Sequence, residues 1–288
     1  MSRSIALLAA AGALLALGTA CGERKEPTGA LVPIYPVTVQ GASERPAVLR
    51  SVPRRIVPLG PGPRRILRAL GLERRTIVVN DSLVGLPLVA QIRRARPDLI
   101  VASSETDPLD LTRASSATHA AVYVEPDRSL RDVERAIDEI GLLTGQPVAA
   151  RKVTASIEQA RRRIASRLSG YPVVPAFVDL GSFNTVGSRS LLGDLVNDAR
   201  GSDIAGASPE QGPFPLRRLL QLDPQAYITT SDSGTTLARL RAGRTTKRLR
   251  ALHNGRFGTI PAGMVAPGPE VGAALERVAK ILHPDAFR

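Results

Sequence analysis

The chain has 288 residues, 43% of them apolar, and its 39 Lys and Arg against 26 Asp and Glu leave a formal charge of +13. That length exceeds one typical hydrophobic core, so two lobes are expected, and the apolar content excludes general disorder. The arginines are spread along the whole chain rather than gathered in a tail or groove, which argues against a nucleic-acid partner; genome-wide bias toward Arg, Ala, Leu, Gly and Pro accounts for the charge.

Arg3 precedes the apolar run Ile5–Leu17, which is followed by small residues and Cys21, the only cysteine. The run is shorter than the roughly 20 residues a helix needs to cross a bilayer, so residues 1–20 read as a signal peptide. Leu17-Gly18-Thr19-Ala20-Cys21 resembles a bacterial lipoprotein processing site, in which the cysteine becomes the lipidated first residue. Gly18 departs from that pattern, which usually has leucine there. Ordinary signal cleavage is the alternative and leaves a free thiol; the lipid anchor on Cys21 is the favoured reading. With one cysteine there is no intrachain disulfide. Residues 21–34 are polar and broken by Pro and Gly, as in a tether.

Beyond the tether, strands are expected at Tyr35–Gln40, Arg54–Leu59, Thr76–Asn80, Leu99–Ala102 and Ala121–Glu125. Helical patterns fall at Pro63–Leu70, Leu88–Ala95 and Leu130–Leu143. Such alternation implies a mostly parallel sheet flanked by helices. Pro147–Leu168 is an unbroken helical pattern of about 22 residues, roughly 33 Å long, which reads as a spacer between two α/β segments. Alternation resumes with strand Ala176–Leu180, helices Leu191–Ala199 and Pro215–Leu222, strand Ala226–Thr230, helix Thr235–Leu252, strand Gly258–Ile260 and helix Pro269–Leu282. The expected organisation is an N-terminal lobe at 35–146, a linking helix at 147–169 and a C-terminal lobe at 170–288.

Two helix starts are electrostatically odd. Gly62-Pro63-Arg64-Arg65 and Phe214-Pro215-Leu216-Arg217-Arg218 place arginine pairs where unpaired N–H groups already carry partial positive charge. Acidic residues are favoured at such positions.

Several blocks together resemble the substrate-binding proteins of ABC importers for vitamin B12 and ferric siderophores. Arg54–Pro61 leads into Ile66–Gly71; Ala95–Ile100 carries a Pro-Asp-Leu-Ile strand entry; Leu130–Gly145 precedes Pro147–Leu168. Leu222–Ala226, Gly255–Phe257, Ala266–Pro269 and Leu282–Asp285 continue the match to residue 287. The resemblance implies two Rossmann-like α/β lobes joined by a single long α-helix, with a small ligand, a ferric siderophore, corrinoid or similar, held in the interlobe cleft at loops after the strands. That position agrees with the general rule for open α/β sheets. It implies Pro61, Asn80, Asp81, Ser104, Glu105, Ser182, Phe183, Asn184, Arg189, Ser231, Asp232 and Met264 as ligand-binding candidates; Glu125 also falls at a strand end. Arg189, in a Gly-Ser-Arg-Ser turn before a helix, suits an anionic ligand group. The short span between Asn80 and Pro97 leaves little room for a loop usual in the family, so a more open cleft is expected.

No cofactor is expected. His119, His253 and His283 do not fall at converging loops, so no metal site is expected. Neither a Gly-x-Ser-x-Gly elbow nor a phosphate loop is present, and Ser188, Asp194 and His253 form a triad by residue type alone, so no enzyme is expected. In the family a glutamate on each lobe docks onto basic pockets of the permease; Arg65 and Arg217 stand at those positions. The resemblance therefore implies either a permease with acidic pockets, with both arginines exposed on one edge of a monomer, or a ligand-binding or scaffold lipoprotein uncoupled from transport.

Overall fold

The computed structural model describes residues 33–187, 189–206 and 211–288. The expected signal peptide, Cys21, the tether up to residue 32 and Ser188 lie outside the described residues. Residues 31–288 form one compact unit.

β1 (Val37–Val39) and β2 (Ala47–Leu49) pair antiparallel. Then come β3 (Ile56–Leu59), α1 (Pro61–Ala69), α2 (Leu86–Ala95), β4 (Leu99–Ala102), α3 (Pro108–Thr118) and β5 (Ala121–Val124). Strands β3, β4 and β5 make a parallel sheet in that order, in register Ile56–Leu99–Ala121. Every residue of β3 and β4 is buried, as expected of parallel strands covered on both faces.

α4 (Leu130–Thr144) ends at Gly145, whose φ of 74° makes it a left-handed cap, and α5 (Pro147–Arg167) starts two residues later with proline in its first turn. At 21 residues α5 is about 31 Å long.

The second lobe contains β6 (Val174–Asp179), β7 (Asn184–Thr185), α6 (Leu191–Asp198), β8 (Gly201–Asp203), β9 (Gly212–Pro213), α7 (Leu216–Leu222) and β10 (Ala226–Thr230). It closes with α8 (Leu237–Ala242), α9 (Arg250–His253), β11 (Phe257–Ile260), α10 (Ala262–Val265) and α11 (Val271–Leu282). Its parallel sheet has the order β11-β10-β6-β8, while β7 and β9 form a separate antiparallel pair. One apolar cluster runs from Ile56 and Leu99 through Ile140, Ala150, Ile157 and Leu275 to Val178 and Ile228, so α4, α5 and α11 pack between the two sheets.

Two expected elements differ. Thr76–Asn80 is not a strand: only Thr76 bridges Ile56, and farther on the Asn80 N–H turns to the Gln91 side chain at 3.0 Å. Thr235–Leu252 is not one helix. It breaks at Gly243, extended at ψ 134°, and the Thr246 hydroxyl takes the Leu240 carbonyl at 2.6 Å in place of the helical N–H. α3 went unforeseen, although Asp107 caps it by accepting the Leu109 N–H at 2.8 Å and Pro108 opens it.

Candidate functional site: the seam between two sheet ends

The carboxyl ends of β3, β4 and β5 supply the first-lobe side of the site. Gly60 follows β3 at φ 103°, and a Cβ there would meet the Ser103 side chain at 2.8–2.9 Å, so glycine is required for the turn into α1. The Gly60 N–H donates to Asp81 at 2.8 Å, and Asp81 also pairs with Arg64 at 2.7 Å. Asp81 is therefore committed to holding the β3–α1 turn. Pro61, Asn80, Ser104 and Glu105 are exposed, and the Ser104 hydroxyl donates to Asp127.

Glu125, directly after β5, is fully buried, and neither carboxyl oxygen has a hydrogen-bond partner. A Cβ on Gly62 would lie 2.3 Å from one of those oxygens and 2.9 Å from the Pro267 carbonyl of the second lobe. Burial above all, and then the Asp127 charge, push the Glu125 carboxyl up to about 9 against the opposing pull of Arg65. It is a neutral acid at pH 7.

The second-lobe side is organised by Asp179, at the end of β6 and 1% exposed. One oxygen accepts the N–H groups of Gly181 (2.8 Å) and Phe183 (3.0 Å); the other accepts the hydroxyls of Tyr227 (2.7 Å) and Thr235 (2.8 Å). Four donors on one carboxylate fix the loops after β6 and β10 together. The buried Tyr227 hydroxyl, beside that charge, is raised above its ordinary range, chiefly by desolvation. Sequence reasoning missed Asp179; the signal was a lone acid closing the apolar run Val174–Val178.

Ser182 and Ser231 are exposed, and Ser231 accepts the Ala262 N–H at 3.0 Å. Asp232 and Arg189 are exposed as well. Asn184 is half-buried and donates to the Gly181 carbonyl at 2.9 Å. Phe183 packs on the apolar cluster of Phe177, Leu219 and Tyr227, and Met264 on the main core, so both side chains serve packing.

The two sides meet at Arg65. Its guanidinium donates to the carbonyls of Gly263, Ala266 (3.1 Å) and Pro267 (3.2 Å), and its Nε faces Glu270 at 3.5 Å, too far for a good hydrogen bond. The Arg65 side chain is 19% exposed. The expectation of two exposed arginines therefore holds for Arg217 alone, because the second lobe supplies Arg65 with acceptors that the local sequence does not reveal. Arg217 and Arg218 are exposed beside a shallow concavity of about 360 Å³ that also includes Pro215, Gln221 and Leu222.

Of the suggested triad, Ser188 lies outside the described residues, Asp194 accepts the Leu130 N–H at 2.8 Å, and the His253 ring bonds the Lys247 carbonyl at 3.1 Å. Among the described residues no three His, Cys, Asp or Glu side chains are grouped to hold a metal. The loops after the strands of both sheets carry exposed hydroxyls and carboxylates, groups suited to binding, and Arg65 joins the two sides.

Comparison with known proteins agrees. The chain is 21% identical over 98% of its length to an uncharacterized ABC transporter substrate-binding lipoprotein, YvrC, of Bacillus subtilis (strain 168), covering 97% of that protein. It is 23% identical over 86% of its length to a cobalamin-binding protein of Halobacterium salinarum, covering 74% of it. The fold matches that of Helicobacter pylori CeuE with a TM-score of 0.76 at 15% identity, covering 87% of this chain and 89% of that one. Residues 59–263 match the periplasmic binding protein family model. The chain is a member of the periplasmic binding protein family, a family of binding proteins rather than enzymes.

Proposed function

We propose that this protein is an extracytoplasmic, lipid-anchored receptor that captures a small ligand, a ferric siderophore, corrinoid or similar, between its lobes for an ABC importer. The observation that carries the reading is the Arg65 contact, which joins the helix that follows β3 on one parallel sheet to the segment that follows β11 on the other. Lipidation at Cys21 fits the N-terminal pattern, and the relative from Bacillus subtilis is named a lipoprotein. The relative from Halobacterium salinarum is named for cobalamin, which makes corrinoids the first class to test.

The test is a thermal shift with cyanocobalamin, a ferric hydroxamate and haemin, each in excess. A true ligand at 100 times its Kd stabilises the folded chain by about 2.7 kcal/mol. A rise in Tm with one class and not the others supports the reading; no rise with any of them refutes this ligand set. One observation favours a second reading, a ligand-binding or scaffold lipoprotein uncoupled from transport: Arg65 is bonded within the protein and leaves a permease only the second-lobe pair.

A further inference from the structure

Arg65 links residues about 200 positions apart, and its surroundings show that the contact is built. It extends from α1, on the first lobe, to three carbonyls in and just beyond the four-residue α10 on the second: Gly263, Ala266 and Pro267. Carbonyls at a helix end lack intrahelical donors, and a cation is favoured among them. α10 has only four residues, none of them buried. Gly62, one turn before Arg65, abuts the Pro267 carbonyl so closely that a side chain does not fit. Beside Gly62, Glu125 is fully buried with no hydrogen-bond partner for either carboxyl oxygen, so the seam between the lobes is closed tightly at this point.

We propose that Arg65 is an interlobe strap: by gripping the Gly263, Ala266 and Pro267 carbonyls it holds the cleft edges of the two lobes together, and a ligand entering between them must displace it. Arg65 is thus a residue that sets affinity without being one of the candidate ligand contacts. The strap accounts for an arginine at a helix start where an acid is favoured. It also separates the two arginine pairs: in the first, Arg64 holds Asp81 within its own lobe while Arg65 reaches across, and the second pair faces outward. Only the consequence for affinity rests on the ligand-binding reading; the strap itself is a contact between the lobes.

The experiment measures the distance between the lobes without ligand. The full chain carrying Cys21→Ser, Arg93→Cys and Arg241→Cys is spin-labelled at the two new cysteines, which sit at exposed positions of α2 and α8. Pulsed dipolar spectroscopy then gives the distribution of interlobe distances. Arg65→Ala is expected to shift it to longer and broader values. Arg65→Lys, which keeps the charge but not the planar fork, is expected to give an intermediate shift. Glu270→Gln is expected to leave it in place, because that contact is long. Should Arg65→Ala fail to fold, Arg65→Lys decides. A folded Arg65 variant whose distribution superimposes on the parent overturns the strap, whichever compounds prove to bind.

Discussion

At Glu125 a fully buried carboxyl group lies against Gly62, with Asp127, Arg65 and Tyr123 as its charged or titratable neighbours. Burial keeps it neutral in the folded protein, where its pKa is about 9, whereas in the unfolded chain it ionises near 4.5. The sign follows from linkage: the group's contribution to stability is fully present below pH 4.5 and is lost as pH rises toward 9. Within that window the loss approaches 1.4 kcal/mol per pH unit. Glu125→Gln, neutral at every pH, is therefore expected to melt above the wild type at pH 8 and to approach it near pH 5. The check is Tm against pH for the pair. Parallel curves for the two proteins would show that Glu125 is ionised in the fold.

Among the elements, α5 carries the connection between lobes, and its fit depends on small residues in its neighbours. A Cβ on Gly141 of α4 would lie 2.4 Å from the Ala150 Cβ, and one on Gly272 of α11 would lie 3.2 Å from the Ala160 Cβ. Both glycines are therefore sites of close helix approach. Gly141→Ala should gain up to about 1 kcal/mol of helix propensity but force α4 and α5 apart, an overpacking cost of about 1–3 kcal/mol. The expected net result is lower stability in urea. A variant at least as stable as the parent would mean that α4 and α5 can part without cost. Glycine thus acts here through space, not through its backbone freedom.

Across the whole molecule, charge on the outer surface is separable from the fold. Arg217 and Arg218 are exposed at the start of α7, and among the described residues neither is in an ion pair. Replacing both by Glu places acids where the helix N-terminus favours them and should raise stability by about 0.3–1 kcal/mol. If an acidic permease surface docks there, the same change should weaken association and reduce its salt dependence, since charge complementarity steers encounter. Denaturation in urea checks the first outcome; ligand uptake by cells expressing the variant checks the second. A variant that unfolds readily would show that the pair is structural.

What the sequence determined by itself was the repeating local pattern. Leu99–Ala102 and Ala226–Thr230 are strands with the expected boundaries, and the long helix of Pro147 ends within a residue of its expected place, because apolar periodicity, proline starts and glycine stops act over a few residues. From that pattern came the parallel sheets, the two lobes and the loops at which to look for a site. Only the tertiary structure decided which of those loop residues are free. It committed Asp81 to Arg64, Phe183 to a core and Asp179 to four donors, and it turned Arg65 inward to the Pro267 carbonyl, 202 residues away. Hydrogen bonds saturate, so a side chain's role depends on which acceptors reach it first. That is settled by packing across distant parts of the chain, and no local spacing encodes it.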